Sequence, residues 1–407
     1  MIQLLLSFKW VLIFLGAGLY QLQTEKVSNS QFGWKTKITD KYAFVSGPSY
    51  RTEHNGKIHA CGAVFVYRKD NEGKFKFHQK IIPPDPSITR YFGSDIAVDN
   101  SDLIVGAPLK RYNTLDHAEK RNTGAVYAYY LNDNTNLWTL SNKIVSATIT
   151  KEERFGSSVA LKNGLGIIGT KSTENISIIR KDHSGKWVII NQIKSGYLGI
   201  TGFSFNNNRL AFIGVPKSKT ENVVVIMSID NMGRFKNEKI ISRRMGDHFY
   251  FADKGLCLFE NICIVQSVKN PTNSHCPTQG FVYVYRINSE GSWIETDKSK
   301  SPNPSECDWF GRSIAISGKH VVVGAMGSNF NKSGQLIPYM GSAYLFRLNF
   351  KTGKLAFISS IDGPEKDWNK FGFSVDIYNG DIIIGSRLES YGNIKSAGGA
   401  YIYHMDI

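Results

Sequence analysis

The chain of 407 residues carries a formal net charge of +15 and only five cysteines. The basic excess points to an acidic partner, a sulfated or uronic glycan, an anionic lipid headgroup or a nucleic acid, unless it reflects only a Lys-rich soluble surface. No Cys-x-x-Cys pair or His-x-x-x-His partner accompanies the cysteines, which argues against a zinc site, and no cofactor is implied.

Residues 1–18 read as a secretory signal. Lys9 closes the n-region, residues 10–19 form an apolar h-region, and Gly16-Ala17-Gly18 supply the small residues of a cleavage site. An uncleaved signal anchor is the rival reading, but Lys9 leaves the run short of the roughly 20 residues a span needs. Cleavage makes the chain secreted, without a transmembrane span, and lowers its charge to +14 by removing Lys9. Nucleic acid is then the least fitting of the acidic partners.

From Phe32 onward one pattern recurs seven times, Phe-Gly and then a Gly-Ala-Pro-like turn fourteen or fifteen residues later. Phe32-Gly33 leads to Gly47-Pro48, Phe92-Gly93 to Gly106-Ala107-Pro108, and Phe155-Gly156 to Gly169. Phe310-Gly311 leads to Gly324-Ala325 and Phe371-Gly372 to Gly385-Ser386. Two copies have decayed, one ending at Gly214-Val215-Pro216, the other running from Phe251 to Gln266-Ser267. A period of about 45 to 63 residues implies a stack or ring of one supersecondary unit.

Each unit reads as four short strands. The Phe-Gly copy opens the first, and a tight polar turn such as Asp99-Asn100-Ser101-Asp102 returns the chain into an apolar second. The third carries aromatics at every second position, as in Gly124-Ala125-Val126-Tyr127-Ala128-Tyr129, which suits burial on both faces. The fourth opens on a large residue and reaches an apolar one six positions on, Phe75 to Ile81 or Trp138 to Ile144. No amphipathic helix is evident. The fold class is all-β, a seven-bladed β-propeller of four-stranded antiparallel blades forming a single domain over residues 19–407. The last unit stops after three strands, whereas residues 20–27 resemble an orphan fourth strand. We expect these to pair with the 398–404 strand and close the ring, against the alternative of a loose N-terminal tail and an open edge.

Repeated Phe-Gly and Gly-Ala-Pro copies with Gly-Ala-x-Tyr-x-Tyr strands between them resemble the FG-GAP repeat family, whose propeller also forms the head of integrin α subunits. The resemblance covers residues 20–407. It implies a binding or adhesion-like role, although such repeats also accompany hydrolases and lyases. Integrin-type blades carry carboxylate-rich calcium loops in the first hairpin, and calcium needs six to eight oxygen ligands. Here those hairpins are short, as in Leu161-Lys162-Asn163-Gly164 and Ile316-Ser317-Gly318-Lys319, so the chain is similar to the non-calcium variant and no metal site is expected.

Two readings stand for Cys257 and Cys263, a disulfide across a hairpin or buried free thiols. Cys276 and Cys307 lie in loops on one face of the disc and favour a disulfide, leaving Cys61 over. Asn175 and Asn331 begin Asn-x-Ser triplets and are glycosylation candidates.

Catalysis finds little support, with no His-Glu-x-x-His and no Gly-x-Ser-x-Gly. Glu53, His54 and His59 share a loop but read as solvated, and Asp308-Trp309 and Asp367-Trp368 read as packing tied to the repeat. The long loops 49–60, 109–123, 327–340 and 388–397 come from four blades contiguous in a closed ring and would form one raised patch. Long loops on a rigid scaffold are where binding concentrates. The candidate ligand-binding residues are Arg51, Lys110, Arg111, Tyr112, Lys120, Arg121, Phe330, Lys332, Tyr339, Arg387, Tyr391 and Lys395. Together they suit a protein or an acidic glycan, and the expected function is non-enzymatic, adhesion-like binding. The alternatives are an enzyme or enzyme-associated module, or a structural component of a matrix or envelope assembly.

Overall fold

A computed structural model describes residues 18–405 apart from 111, 114–118, 121, 149, 220, 243–248, 270–278 and 332. Seven four-stranded antiparallel sheets are arranged in a ring, with two short ribbons in the loops and no helix among the described residues. The innermost strands are Thr36–Ile38, Ile96–Asp99, Ser158–Lys162, Tyr197–Asn206, Phe249–Phe259, Phe310–Ser317 and Phe371–Tyr378. These line a central channel.

The apolar core lies between blades. Seven clusters of buried residues each draw on two neighbouring sheets. One example joins Tyr42, Phe44, Val64 and Val66 of the first blade to Phe92, Leu103, Tyr127 and Trp138 of the second. This accounts for the two-sided burial of the aromatic third strands, since a propeller blade has a neighbour on each face.

The repeat residues make the seams. Phe92 bridges Gly62, Phe155 bridges Gly124, Phe371 bridges Gly341 and Phe32 bridges Gly398, so each Phe-Gly docks on the start of the preceding blade's third strand. At Gly341 an added Cβ would stand 2.1 Å from the carbonyl oxygen of Phe371, too close for any side chain. The residue three places after the Phe then ties neighbouring inner strands. Asp95 accepts from Val159 N–H (3.0 Å), the Ser313 hydroxyl donates to Gly372 O (3.0 Å) and that of Ser374 to Gly33 O (2.9 Å).

The N-terminal strand closes the ring, as expected, but in a shorter form than residues 20–27. Leu19–Gln21 pairs antiparallel with Tyr401–Tyr403 as the outermost strand of the seventh blade. Leu22 N–H adds one more bond to Ala400 O at 2.9 Å. The chain must then leave the rim and cross the loop face to reach the first inner strand, which ends the pairing early. On the way the Tyr67 hydroxyl donates to Gln23 O, and Leu22 is buried in the seam between blades seven and one.

Candidate functional site

The connections between blades and the loops joining second to third strands emerge on one face. There the backbone before each well-formed Phe-Gly takes a left-handed conformation at a residue other than glycine: Gln31, Tyr91, Arg154, Trp309 and Lys370 have φ of 56°, 57°, 56°, 52° and 55°. In four connections the residue two places earlier is left-handed too, at Asn29, Glu152, Cys307 and Trp368. The repetition makes this a property of the fold, and what differs between blades is the side chain each position carries. In the third-blade connection Glu152 and Arg154 neutralise one another at 3.8 Å. In the seventh-blade connection the same positions hold Trp368 and Lys370.

At the mouth of the channel beside that connection, basic and aromatic groups interleave. The guanidinium carbons of Arg312 and Arg387 lie 4.4 Å and 4.3 Å from the Phe373 ring centre, and Arg387 also lies 5.0 Å from Trp34. Trp34 and Phe373 are 5.3 Å apart. Such contacts hold the Arg387 guanidinium in place without neutralising it. Burial lowers the Lys370 ammonium below its usual range, and the charges of Arg387 and Arg312 add to the effect. Burial also lowers the Arg387 guanidinium, whose Nε is enclosed without an acceptor among the described residues. Cations that destabilise one another in a partly desolvated site favour an anion between them. On the outer side, Lys370 Nζ lies 5.8 Å from the Tyr339 ring, which stacks on Trp368 at 4.4 Å with planes 28° apart.

Deeper in the channel the charges are matched. Lys35 pairs with Asp95 at 3.1 Å and Lys37 with Asp376 at 3.8 Å. The nearby carboxylate of Asp376 raises the Lys37 pKa, so this ammonium, enclosed by the ring yet reachable by water, stays charged. Burial pushes the Cys257 thiol up to about 12, which keeps it protonated and unsuited to nucleophilic attack.

Several sequence-derived candidates belong elsewhere. Lys110 is 1% exposed and ion-paired with Asp85, which also accepts from the Tyr127 hydroxyl at 2.6 Å. It follows the Gly-Ala-Pro turn, which folds its side chain inward. It is therefore a structural cation and not a surface ligand residue. Tyr391 is half-buried, its hydroxyl accepts from Gln21 on the closing strand, and Lys26 Nζ stands 4.0 Å from its ring. Its role is thus also in closure. Asn331 is buried, with its amide donating to Glu365 at 2.7 Å, which leaves no room for a glycan. Asn175 begins a third strand and is half-buried. Arg51 and Lys395 are exposed on their loops, and Phe330 is half-buried, bridged to Leu336. Tyr112 and Lys120 are backbone partners in a ribbon. Arg111, Arg121, Lys332, Cys276 and the signal residues 1–17 lie outside the described residues.

The hairpin disulfide does not form, and Cys257, Cys263 and Cys61 are free thiols. Phe259 pairs with Ile262, so the turn has two residues, Glu260-Asn261. Cys263 therefore faces Leu258 while Cys257 faces Ile264, and a one-residue offset sends the two thiols to opposite faces of the sheet. Trp368 is likewise no packing residue, being 54% exposed. The sequence reading found Arg387 and Tyr339 but missed Arg312, Lys370, Trp34 and Phe373. These stand immediately before or immediately after Phe-Gly, and the available signal was that both positions vary between copies while the motif does not.

A group of three or more side chains able to hold a metal is not found among the described residues. No described helix is long and apolar enough to cross a membrane.

None of the curated proteins compared matches the chain. Among solved structures it is similar to a candidate 6-phosphogluconolactonase from Bacteroides fragilis, at 10% identity and a TM-score of 0.51 over 85% of this chain and 87% of that one. It is also similar to the periplasmic gluconolactonase of Pseudomonas aeruginosa, at 11% identity and 0.51 over 82% and 86%. At such identity the likeness is one of fold alone. The FG-GAP repeat model matches residues 75–129 and 293–346. Both matches run from the fourth strand of one blade to the third of the next. That phase is offset by one strand from the spatial blade, the same offset that lets an N-terminal strand complete the last sheet. The chain thus carries FG-GAP repeats in these two regions and folds as a seven-bladed β-propeller.

Proposed function

We propose that the protein is a secreted, non-enzymatic binding module that holds an anionic partner on its loop face. The observation that carries this reading is the pair of Lys370 and Arg387 at the channel mouth, set among the rings of Tyr339, Phe373 and Trp34, whereas Lys35 and Lys37 below are paired with carboxylates. The net charge of +15 agrees in sign. Secretion rests on the signal-like residues 1–18, a single domain on residues 19–407, and an oxidising compartment on a Cys276–Cys307 bridge, which non-reducing peptide mapping would detect. The lactonase names of the structural relatives add nothing to this reading, because no catalytic residue is carried over at that identity.

Binding to two chemically different polyanions, dextran sulfate and poly-glutamate, tests it. Affinity should fall steeply from 50 to about 300 mM salt, as expected for exposed charges beyond a shortened screening length. The double variant Arg387→Glu, Lys370→Glu should lose at least roughly tenfold in affinity, a change of about 1.4 kcal/mol. Failure of both polyanions to bind at low salt, or binding indifferent to the double variant, would overturn the reading.

A further inference from the structure

Next to the cationic group stands an aromatic pair that the proposed function does not use. Trp368 is exposed over 54% of its surface, and Tyr339 backs it at 4.4 Å with nearly parallel planes. Both have left-handed backbones, φ 57° and 52°, held by Trp368 N–H to Pro338 O at 2.8 Å and Lys370 N–H to Tyr339 O at 3.1 Å. The loop therefore presents the indole on a rigid support. An exposed tryptophan so fixed is costly to leave in water and offers a flat apolar face of defined orientation. Cations lie close to the pair, Lys370 at 5.8 Å from the Tyr339 ring and Arg387 at 4.3 Å from that of Phe373, near enough to each other for the Arg387 charge to act on Lys370.

A ligand matching this strip needs a flat C–H surface at one end and negative charge along the next few ångströms. We infer that the anionic partner is a glycan, an acidic oligosaccharide that stacks one pyranose face on Trp368 and lays its carboxylate or sulfate groups along Lys370 and Arg387. The inference rests on the anion-binding reading above and adds the chemical class of the ligand. Carbohydrate rings present axial C–H groups on one face and polar groups at the rim, so an apolar platform beside cations reads both. An acidic peptide would use the cations but gain little from the platform. A single-stranded nucleic acid would use both through base stacking, and is a distinct outcome of the test.

Calorimetric titration of the full chain with four probes of similar length decides among them: a heparin-derived octasaccharide, an uncharged octasaccharide, an octa-glutamate peptide and an octanucleotide. The heparin fragment should bind at least roughly tenfold more tightly than each of the others. Trp368→Ala should weaken it by a comparable factor, Trp368→Phe should restore most of the affinity, and Lys370→Glu should weaken it independently. Because Trp368 is exposed, both substitutions should leave the melting curve unchanged. Equal binding of octa-glutamate and heparin fragment, untouched by Trp368→Ala, would overturn the glycan inference while sparing anion binding. Preference for the oligonucleotide would overturn it in favour of nucleic acid, and binding of no anion would overturn both readings.

Discussion

Asp308 shows how a single side chain is spent on architecture. It is fully buried just before the sixth Phe-Gly, and one of its oxygens accepts from Gly280 N–H at 2.9 Å and Phe310 N–H at 3.1 Å, joining blades five and six. Burial raises its pKa to about 6 despite these bonds. The unfolded value lies near 3.9, so the folded state binds the proton more tightly. The ionised form destabilises the fold above pH 6, and that burden is relieved as pH falls from 6 toward 4. Asp308→Asn keeps an acceptor for both N–H groups and removes the charge. It should raise the thermal midpoint at pH 8, by the equivalent of about 2–3 kcal/mol for a two-unit shift, and make little difference at pH 4. Parallel pH profiles for variant and parent would show that Asp308 is not the group responsible. The same residue read as packing from its place in the repeat, and that much was legible. Its ionisation was not, because the pKa depends on which backbones cover it.

The element that defines this protein is the seam between blades, made by Phe-Gly on one side and the glycine opening the third strand on the other. Gly341 has φ 80° and no space for a Cβ, whereas Gly334, with φ 78° in the loop before it, has nothing within 4 Å. Gly341→Ala should therefore lower the urea midpoint by the equivalent of about 1–3 kcal/mol for overpacking, in addition to the roughly 1 kcal/mol of left-handed strain. Gly334→Ala should show the strain alone. Equal losses in the two variants would mean that the seam can open without cost. The element scale also explains the cysteine correction. The number of residues in the turn, two here, decides which side chains oppose each other, and sequence spacing around a polar turn does not fix that count.

At the scale of the molecule, the ring is held shut by three residues of strand and the segment that follows them. Leu22 is 1% exposed, packed with Ile383 and Ile402 of the seventh blade and Tyr67 of the first. Leu22→Ala should lower stability by about 2–5 kcal/mol, as for other buried leucines, and should do so in one shifted transition, because the seventh blade has neighbours on both sides only when the ring is closed. An early separate transition with six blades intact would contradict cooperative closure. The order of the loops around the ring follows from the same closure. Blade seven meets blade one, and so Arg387 reaches Trp34 across a separation of some 350 residues in sequence.

The sequence by itself determined the seven blades, the four strands in each and the N-terminal closing strand. Those features repeat, and repetition makes weak local signals add. It also located the loop face, since loop length is read directly from residue spacing. Only the tertiary structure decided which basic residues face solvent. Lys110 and Tyr391 carry the same residue types as the channel-mouth group but turn inward to Asp85 and to the closing strand. Arg312, Lys370 and Trp368 stand within or beside the motif and were masked by it. Whether such positions point into a seam or out of the disc is set by left-handed backbone geometry and by the neighbouring blade, neither of which local sequence encodes.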